Sequence, residues 1–371
     1  MATINNRLSD ESIAHALFVS RYGTGAARRM VSRLNQSDAE LSARLLVALD
    51  VLPRENFTLA HLESLLGSVR EVNRSAVQSA FSTLADELTQ FTGHEASYQF
   101  DLFAELLPEA VLRHYPLASI TSDMVYAAAM ARPFQGRLLS EWASNLEADR
   151  LARLTNAVRS GYLNGATTEQ IARQVRGTAA NGYQDGAIQV SRANAMSIAK
   201  TAVSHVAAVA RDGFAAANAD VLDAKQWLST LDTRTTPTCI IRDRLKYTLD
   251  NKPIGHKIPY LQGPGRIHFC CRSTETLVVK SWRELGIPVD EMDSGSRASM
   301  DGQVPADTNY AQWLERQPYE RQIKVLGVTR ARLLREGGMK PGEFFSDKGE
   351  FLTLDQLRQI DGSAFSDAAI T

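Results

Sequence analysis

Leu231-Asp232-Thr233-Arg234-Thr235-Thr236-Pro237-Thr238-Cys239 and, after a Pro- and Gly-rich interval, His268-Phe269-Cys270-Cys271-Arg272-Ser273 hold every cysteine of the chain. All three cysteines of the 371 residues fall within this one segment. Zinc takes thiolate and imidazole ligands in a tetrahedron, and two ligands three residues apart on a turn can share one ion. His268 and Cys271 have that spacing, and Cys239 offers a third ligand from the far side of a loop. On spacing alone Asp243, His256 and Cys270 all stand open as the fourth. The competing reading is reduced thiols packed as small hydrophobes beside a hydrogen-bonded histidine. A structural disulfide is the least expected outcome, because a cytoplasm keeps thiols reduced.

On both sides of this segment the texture is different. Upstream, apolar residues recur at three and four positions, as in Val77, Phe81, Leu84, Leu88 and Phe91, which predicts amphipathic helices. Breaks are expected at Gly23-Thr24-Gly25 and Asn73-Arg74-Ser75, and Thr58 is a candidate cap. A long helix is predicted from Leu138 to about Tyr162, ending near Gly161 or Gly165, and Thr167 opens the next, closed by Gly177. An alanine-rich helix follows over about Ile188–Ala217, its small side chains suited to close packing. From Lys225 the pattern turns β-like, with Thr274 to Val279 a returning strand and Lys280 to Leu285 a short helix. Asp293 to Ser296 and Gly302 to Pro305 read as linker, followed by short helices around Trp313, Ile323 to Leu326, Arg330 to Leu334 and Leu354 to Ile360. The expected fold is mainly α with a small α+β C-terminal core: a helical N-terminal region, a long alanine-rich helix, short β-strands around the Cys/His segment and an extended C-terminal region. Three parts are expected, residues 1–115, 116–290 and 291–371, in keeping with roughly 100–200 residues per domain.

Charge and motifs exclude several functions. With 41 Lys plus Arg against 42 Asp plus Glu, the chain has no overall field to draw nucleic acid. Locally, however, eight Lys/Arg against three Asp lie between Ser229 and Arg272, an excess of five positive charges. That loop, Arg242, Arg244 and Lys246 included, is the candidate contact for DNA phosphates. No apolar run approaches the ~18 residues of a membrane span, and no secretory leader opens the chain, so synthesis in a cytoplasm is expected. Gly263-Pro264-Gly265 lacks the strand-to-helix setting of a dinucleotide motif, and no phosphate-binding GxxxxGK[ST] occurs. Ser204 and His205 are adjacent on a helix and so point apart, a poor nucleophile and base. His15, His61, His94 and His114 stand isolated in helical sequence, and no carboxylate pair suggests acid–base chemistry.

The two Cys/His stretches resemble the C-terminal signature of the phage Mu F-like minor head proteins, also called head morphogenesis proteins. The lead-in is similar too: Ser160-Gly161 through Gly165-Ala166-Thr167-Thr168-Glu169-Gln170-Ile171-Ala172 looks like the family's helix pair, and Ala199-Lys200-Thr201-Ala202 occupies the place of its Ala-Arg-Thr-Glu run. Downstream, Ser299 to Pro305, Tyr310 to Leu314 and Val325 to Arg330 resemble an extension found in many members. Relatives often carry Cys-x-x-Cys at the first stretch and a further cysteine after Cys-Arg. Here Thr236 and Ser273 hold those two places. The resemblance implies a metal set of Cys239, His268 and Cys271 with Asp243 as fourth ligand, and zinc as the ion. It also implies a low-copy minor capsid protein acting in head assembly near the portal, located in the virion and in the host cytoplasm during assembly. Portal and major capsid proteins are the implied partners, packaged double-stranded DNA is a further one through the basic loop, and ejection with the DNA is implied for some members. No enzymatic activity is implied. The alternative is a metal-dependent, nuclease-like enzyme carried in the virion, in which three ligands and an open position activate water.

Overall fold

The structure, a computed structural model, describes residues 4–50, 59–286, 296–305, 307–346 and 349–370. Two long helices, α1 (Ile4–Asp50) and α2 (Leu59–Leu106), form an antiparallel hairpin. Short α3 (Glu109–His114) and α4 (Ser122–Ala131) lead to α5 (Leu139–Leu163), α6 (Thr168–Arg176) and the alanine-rich α7 (Gln189–Ala217). Strand β1 (Leu222–Leu228) follows, then the single turn α8 (Pro237–Ile240) and strands β2 (Lys246–Tyr247), β3 (Pro253–Ile254) and β4 (Thr274–Val279). They make one antiparallel sheet in the order β3-β2-β1-β4, with Lys225 opposite Leu277 on one side and Tyr247 on the other. A hairpin of β5 (Ser296–Ser299) and β6 (Gly302–Pro305) precedes α9 (Tyr310–Glu315), α10 (Tyr319–Leu326), α11 (Val328–Arg335), α12 (Leu354–Ile360) and α13 (Gly362–Asp367). This is the mainly helical chain with a small sheet that the periodicity predicts.

The largest core lies where α1 and α2 meet α7. Leu34, Leu84, Leu88 and Phe91 of the hairpin are buried with Val203, Val206 and Phe214 of α7 and with Leu277 of β4. The alanines of α7 do what their size allows: Ala195, Ala199, Ala202 and Ala210 are buried and let neighbouring helices approach. Strand β4 is an edge whose free backbone groups would invite pairing. Asn5 of α1 covers it, accepting from Val279 N at 2.8 Å and donating to Val279 O at 3.3 Å. A second core gathers Trp313, Leu326, Leu333, Phe344 and Phe365 of the C-terminal helices around Leu231 and Ile240, beside the Cys/His segment.

Several local expectations are corrected. Neither Gly23-Thr24-Gly25 nor Asn73-Arg74-Ser75 breaks a helix; α1 and α2 run through both. A Cβ on Gly23 would stand 3.5 Å from Val203 Cβ, so this glycine serves a helix crossing. Asn73 is fully buried, donating to Glu147 O at 3.0 Å and accepting from Arg150 Nε at 2.9 Å, so its side chain is used across helices instead of turning its own backbone. Residues 281–286 form turns, not a helix, and Gly302 to Pro305 forms β6, closed by Ser299 Oγ donating to Gly302 O at 2.8 Å. Thr58 and residues 293–295 lie outside the described residues. The cap at Thr167 is as expected, accepting from Gln170 N, and Gly177 ends α6 with φ of 90°.

Candidate metal centre

Thr236 enters α8 in extended conformation and Pro237 takes the first helical position, where its missing N–H leaves nothing unpaired. That turn directs Cys239 inward, and Ser229 Oγ donates to Cys239 O at 2.7 Å, fastening it to the end of β1. On the returning stretch Cys270 has φ of 55°, left-handed, and its N–H donates to Thr201 Oγ1 of α7 at 3.0 Å. The bend leaves Cys270 exposed and Cys271 buried. Trp227, Tyr247 and Tyr260 pack around the two inner thiols and exclude solvent.

Cys239 Sγ lies 3.5 Å from His268 Nε2 and 3.7 Å from Cys271 Sγ, and the ligand atoms of the three residues all fall within 4.8 Å of one another. A tetrahedral zinc, with Zn–S of about 2.3 Å and Zn–N of about 2.0–2.1 Å, sets two sulfurs about 3.8 Å apart and a sulfur and nitrogen about 3.6 Å apart. Donor types and both separations therefore fit that ion. His268 Nδ1 lies 3.0 Å from Phe269 O. With the proton assigned to Nδ1 and donated there, Nε2 turns its lone pair toward the sulfurs, the orientation a metal-ligating histidine takes.

The thiols are electrostatically unequal. The hydrogen bond from Cys239 leads in pulling Cys271 down to about 7, against burial and with help from the Ser273 and Gly265 backbone. That same bond, with burial, holds Cys239 well above its ordinary value. Burial pushes His268 down, but its bond to Cys239, the charge of that thiolate and the Phe269 carbonyl together outweigh this and its pKa rises.

Asp243, expected as fourth ligand, is not among the clustered residues. Its Oδ1 accepts from Ser229 N at 2.7 Å and its Oδ2 from Tyr310 N at 2.8 Å, so the carboxylate joins the end of β1 to α9. His256 is engaged in the β2–β3 hairpin, with Nε2 2.9 Å from Lys246 O. Thr236 Oγ1 lies 3.1 Å from His268 Nε2, so the residue in the place of the relatives' first cysteine does reach the cluster.

The basic loop is open only in part: Arg234, Lys246, Lys252 and Lys257 are exposed, whereas several of its arginines are engaged. Arg242 is wholly buried, donating from Nε to Pro259 O at 3.0 Å and from Nη1 to Thr238 O at 2.6 Å. Arg266 is 8% exposed and pairs with Asp212 at 2.6 Å, and Arg272 pairs with Asp232. These cations staple loops because long turns without regular ladders need other partners for their carbonyls.

Sequence reasoning missed a second cluster. His15 and His94, isolated in the sequence, meet Glu95 across the α1–α2 hairpin, with His15 Nε2 2.9 Å from Glu95 Oε1 and both of those side chains buried. Only the antiparallel register brings positions 80 apart together. His15 stacks on Tyr98 at 3.7 Å between ring centroids.

No curated protein and no solved structure significantly matches the chain. A family model, Phage Mu protein F like protein, matches residues 152–276. The matched span runs from α5 through α6, α7 and the sheet to β4, and contains Cys239, His268 and Cys271 together. Over residues 152–276, about a third of its length, the chain is thus similar to the phage Mu F-like family.

Proposed function

We propose that the protein is a minor head, or head morphogenesis, protein of a tailed double-stranded DNA phage. In this reading it acts in head assembly near the portal, in low copy, with portal and major capsid proteins as partners. Its place is the virion, reached from the host cytoplasm during assembly. The observation that carries this is the family match over residues 152–276. The division at 115/116 and 290/291 is read as one of sequence units on a shared framework, since α1 and α2 share their core with α7 and β4. Among the described residues no helix is long and apolar enough to cross a membrane.

The Cys239, His268 and Cys271 group is proposed to hold one zinc ion, supported by the fit of donors and separations. When bound, zinc would cross-link α8 to the turn before β4, and Thr236 is the side chain placed to complete or shield the fourth position. A structural ion is favoured over a nuclease-like one. Metal-assisted hydrolysis needs a base beside an open position, yet no Asp or Glu lines the cavity next to the cluster among the described residues.

The experiment is purification of proheads and virions from infected cells, with quantitative mass spectrometry of this chain against portal and major capsid protein. Retention in proheads at a small fraction of the major capsid protein is expected. Absence from both particles overturns the reading.

A further inference from the structure

Between α1, α7 and the loop bearing His268 lies a cavity of about 510 Å³. It persists because the facing positions are small: Ala16, Ser20 and Gly23 on α1, and Ser204, Ala207 and Ala208 on α7. Small-molecule sites run to about 300–1,000 Å³, so the hollow is of ligand size. A nucleic-acid duplex is far too wide to enter it.

Its lining has one sign of charge. Lys200, Arg211, Arg234 and Arg272 line it, and among the described lining residues there is no Asp or Glu. Arg211 is 4% exposed and has Glu275 3.6 Å away, and Arg272 pairs with Asp232. Lys200 and Arg234 make no ion pair among the described residues. Two uncompensated cations at the wall of a partly enclosed hollow focus positive potential into it. A guanidinium fork and hydroxyls such as Ser20, Ser204 and Thr236 suit phosphate oxygens, which accept several hydrogen bonds at once.

We propose that this cavity binds a small phosphate-bearing polyanion, a nucleoside phosphate or an inorganic polyphosphate, with Lys200 and Arg234 supplying the unpaired charge and Arg211 the buried floor. This site adjoins the proposed metal cluster, with Thr236, His268 and Cys271 in its wall, but its charge comes from other residues and it does not depend on a virion role.

The test is isothermal titration of the full chain with pyrophosphate, ADP and adenosine. Pyrophosphate and ADP are expected to bind and adenosine not to. Tighter binding of ADP than of pyrophosphate identifies a nucleoside phosphate, and equal binding identifies the phosphate groups alone; both uphold the site. The Lys200→Ala/Arg234→Ala double variant should weaken pyrophosphate at least about tenfold, as expected for the loss of two charge-assisted contacts. Lys252→Ala, an exposed cation of the β2–β3 turn, should leave it unchanged. Should the double variant fold poorly by circular dichroism, Arg234→Ala alone carries the test, since that side chain is exposed. Absence of pyrophosphate binding up to about 1 mM overturns the proposal. So does equal weakening by Lys252→Ala.

Discussion

Cys239 Sγ and Cys271 Sγ stand 3.7 Å apart although 32 positions separate them in sequence. A disulfide would need about 2.05 Å, whereas two thiolates on one tetrahedral ion stand about 3.8 Å apart. The pair is too far apart for a bond; 3.7 Å is the contact of two thiols, and also the separation that the proposed zinc would need.

Purified under reducing conditions, the protein is expected to hold close to one zinc per chain by elemental analysis. Cobalt exchanged into the site should show thiolate charge-transfer absorption, lost in Cys271→Ser and in His268→Ala. Binding free energy of a structural ion is also folding free energy, so chelation should lower Tm in the wild type but not in Cys271→Ser. A folded, metal-free wild type with no cobalt spectrum would reject the site.

Asp38 of α1 is 1% exposed and accepts from Arg150 of α5 and, at 2.7 Å, from Arg192 Nη2 of α7. One carboxylate thus holds three helices through two guanidinium groups that have little access to water. Asp38→Ala leaves both cations buried without their counter-charge, and breaking such a pair costs about 3–5 kcal/mol. Asp38→Asn keeps an acceptor and should cost less. Urea unfolding measures both, and an alanine variant within about 1 kcal/mol of wild type would contradict the network's importance.

Asp212 lies on α7 with Lys225 Nζ at 2.8 Å and Arg266 Nη2 at 2.6 Å. Burial pushes its carboxyl up, but Arg266 and Lys225 together hold it below its ordinary value of 3.8. A carboxylate depressed in the folded state stabilises fully above its unfolded pKa, and that contribution is lost as pH falls through the folded value. The loss therefore begins below about pH 4. Unfolding free energy measured down this acid limb should fall more steeply in wild type than in Asp212→Asn, which has no such proton to take up. Parallel limbs would refute the assignment.

Much of this was legible in the sequence because it is local. Thr167 with Gln170, Gly177, the alanines of α7 and the alternation before Cys239 are read within a turn or two of themselves. The approach of Cys239, His268 and Cys271 to one another was legible too, since His268 and Cys271 stand at turn spacing. What escaped depended on partners distant in the chain. Gly23 and Asn73 look like breaks until α7 and α5 supply the crossing and the hydrogen bonds they serve. Asp243 matches a fourth ligand by position, yet Tyr310 N, 67 positions on, claims one of its oxygens. Arg242 and Arg266 count as surface charge of the basic loop until Pro259 O, Thr238 O and Asp212 engage them.

Gly161 offers the sharpest test of the packing between α5 and α6. It sits inside α5, and a Cβ there would stand 2.6 Å from Ile171 Cγ1 and 3.1 Å from Gln174 Oε1. In an open helix Gly→Ala gains up to about 1 kcal/mol from backbone entropy. Overpacking a core costs about 1–3 kcal/mol, and Ile171 has little room to yield, being 2% exposed among Val158, Val175 and Ile188. The steric effect should win, so Gly161→Ala is expected to destabilise despite its better helix propensity. Truncating the obstacle reverses the sign: in an Ile171→Ala background, itself about 2–5 kcal/mol less stable, the same change should become neutral or favourable. A double-mutant cycle in urea reads that coupling. Equal effects of Gly161→Ala in both backgrounds would show that the glycine is there for some reason other than the approach of α6.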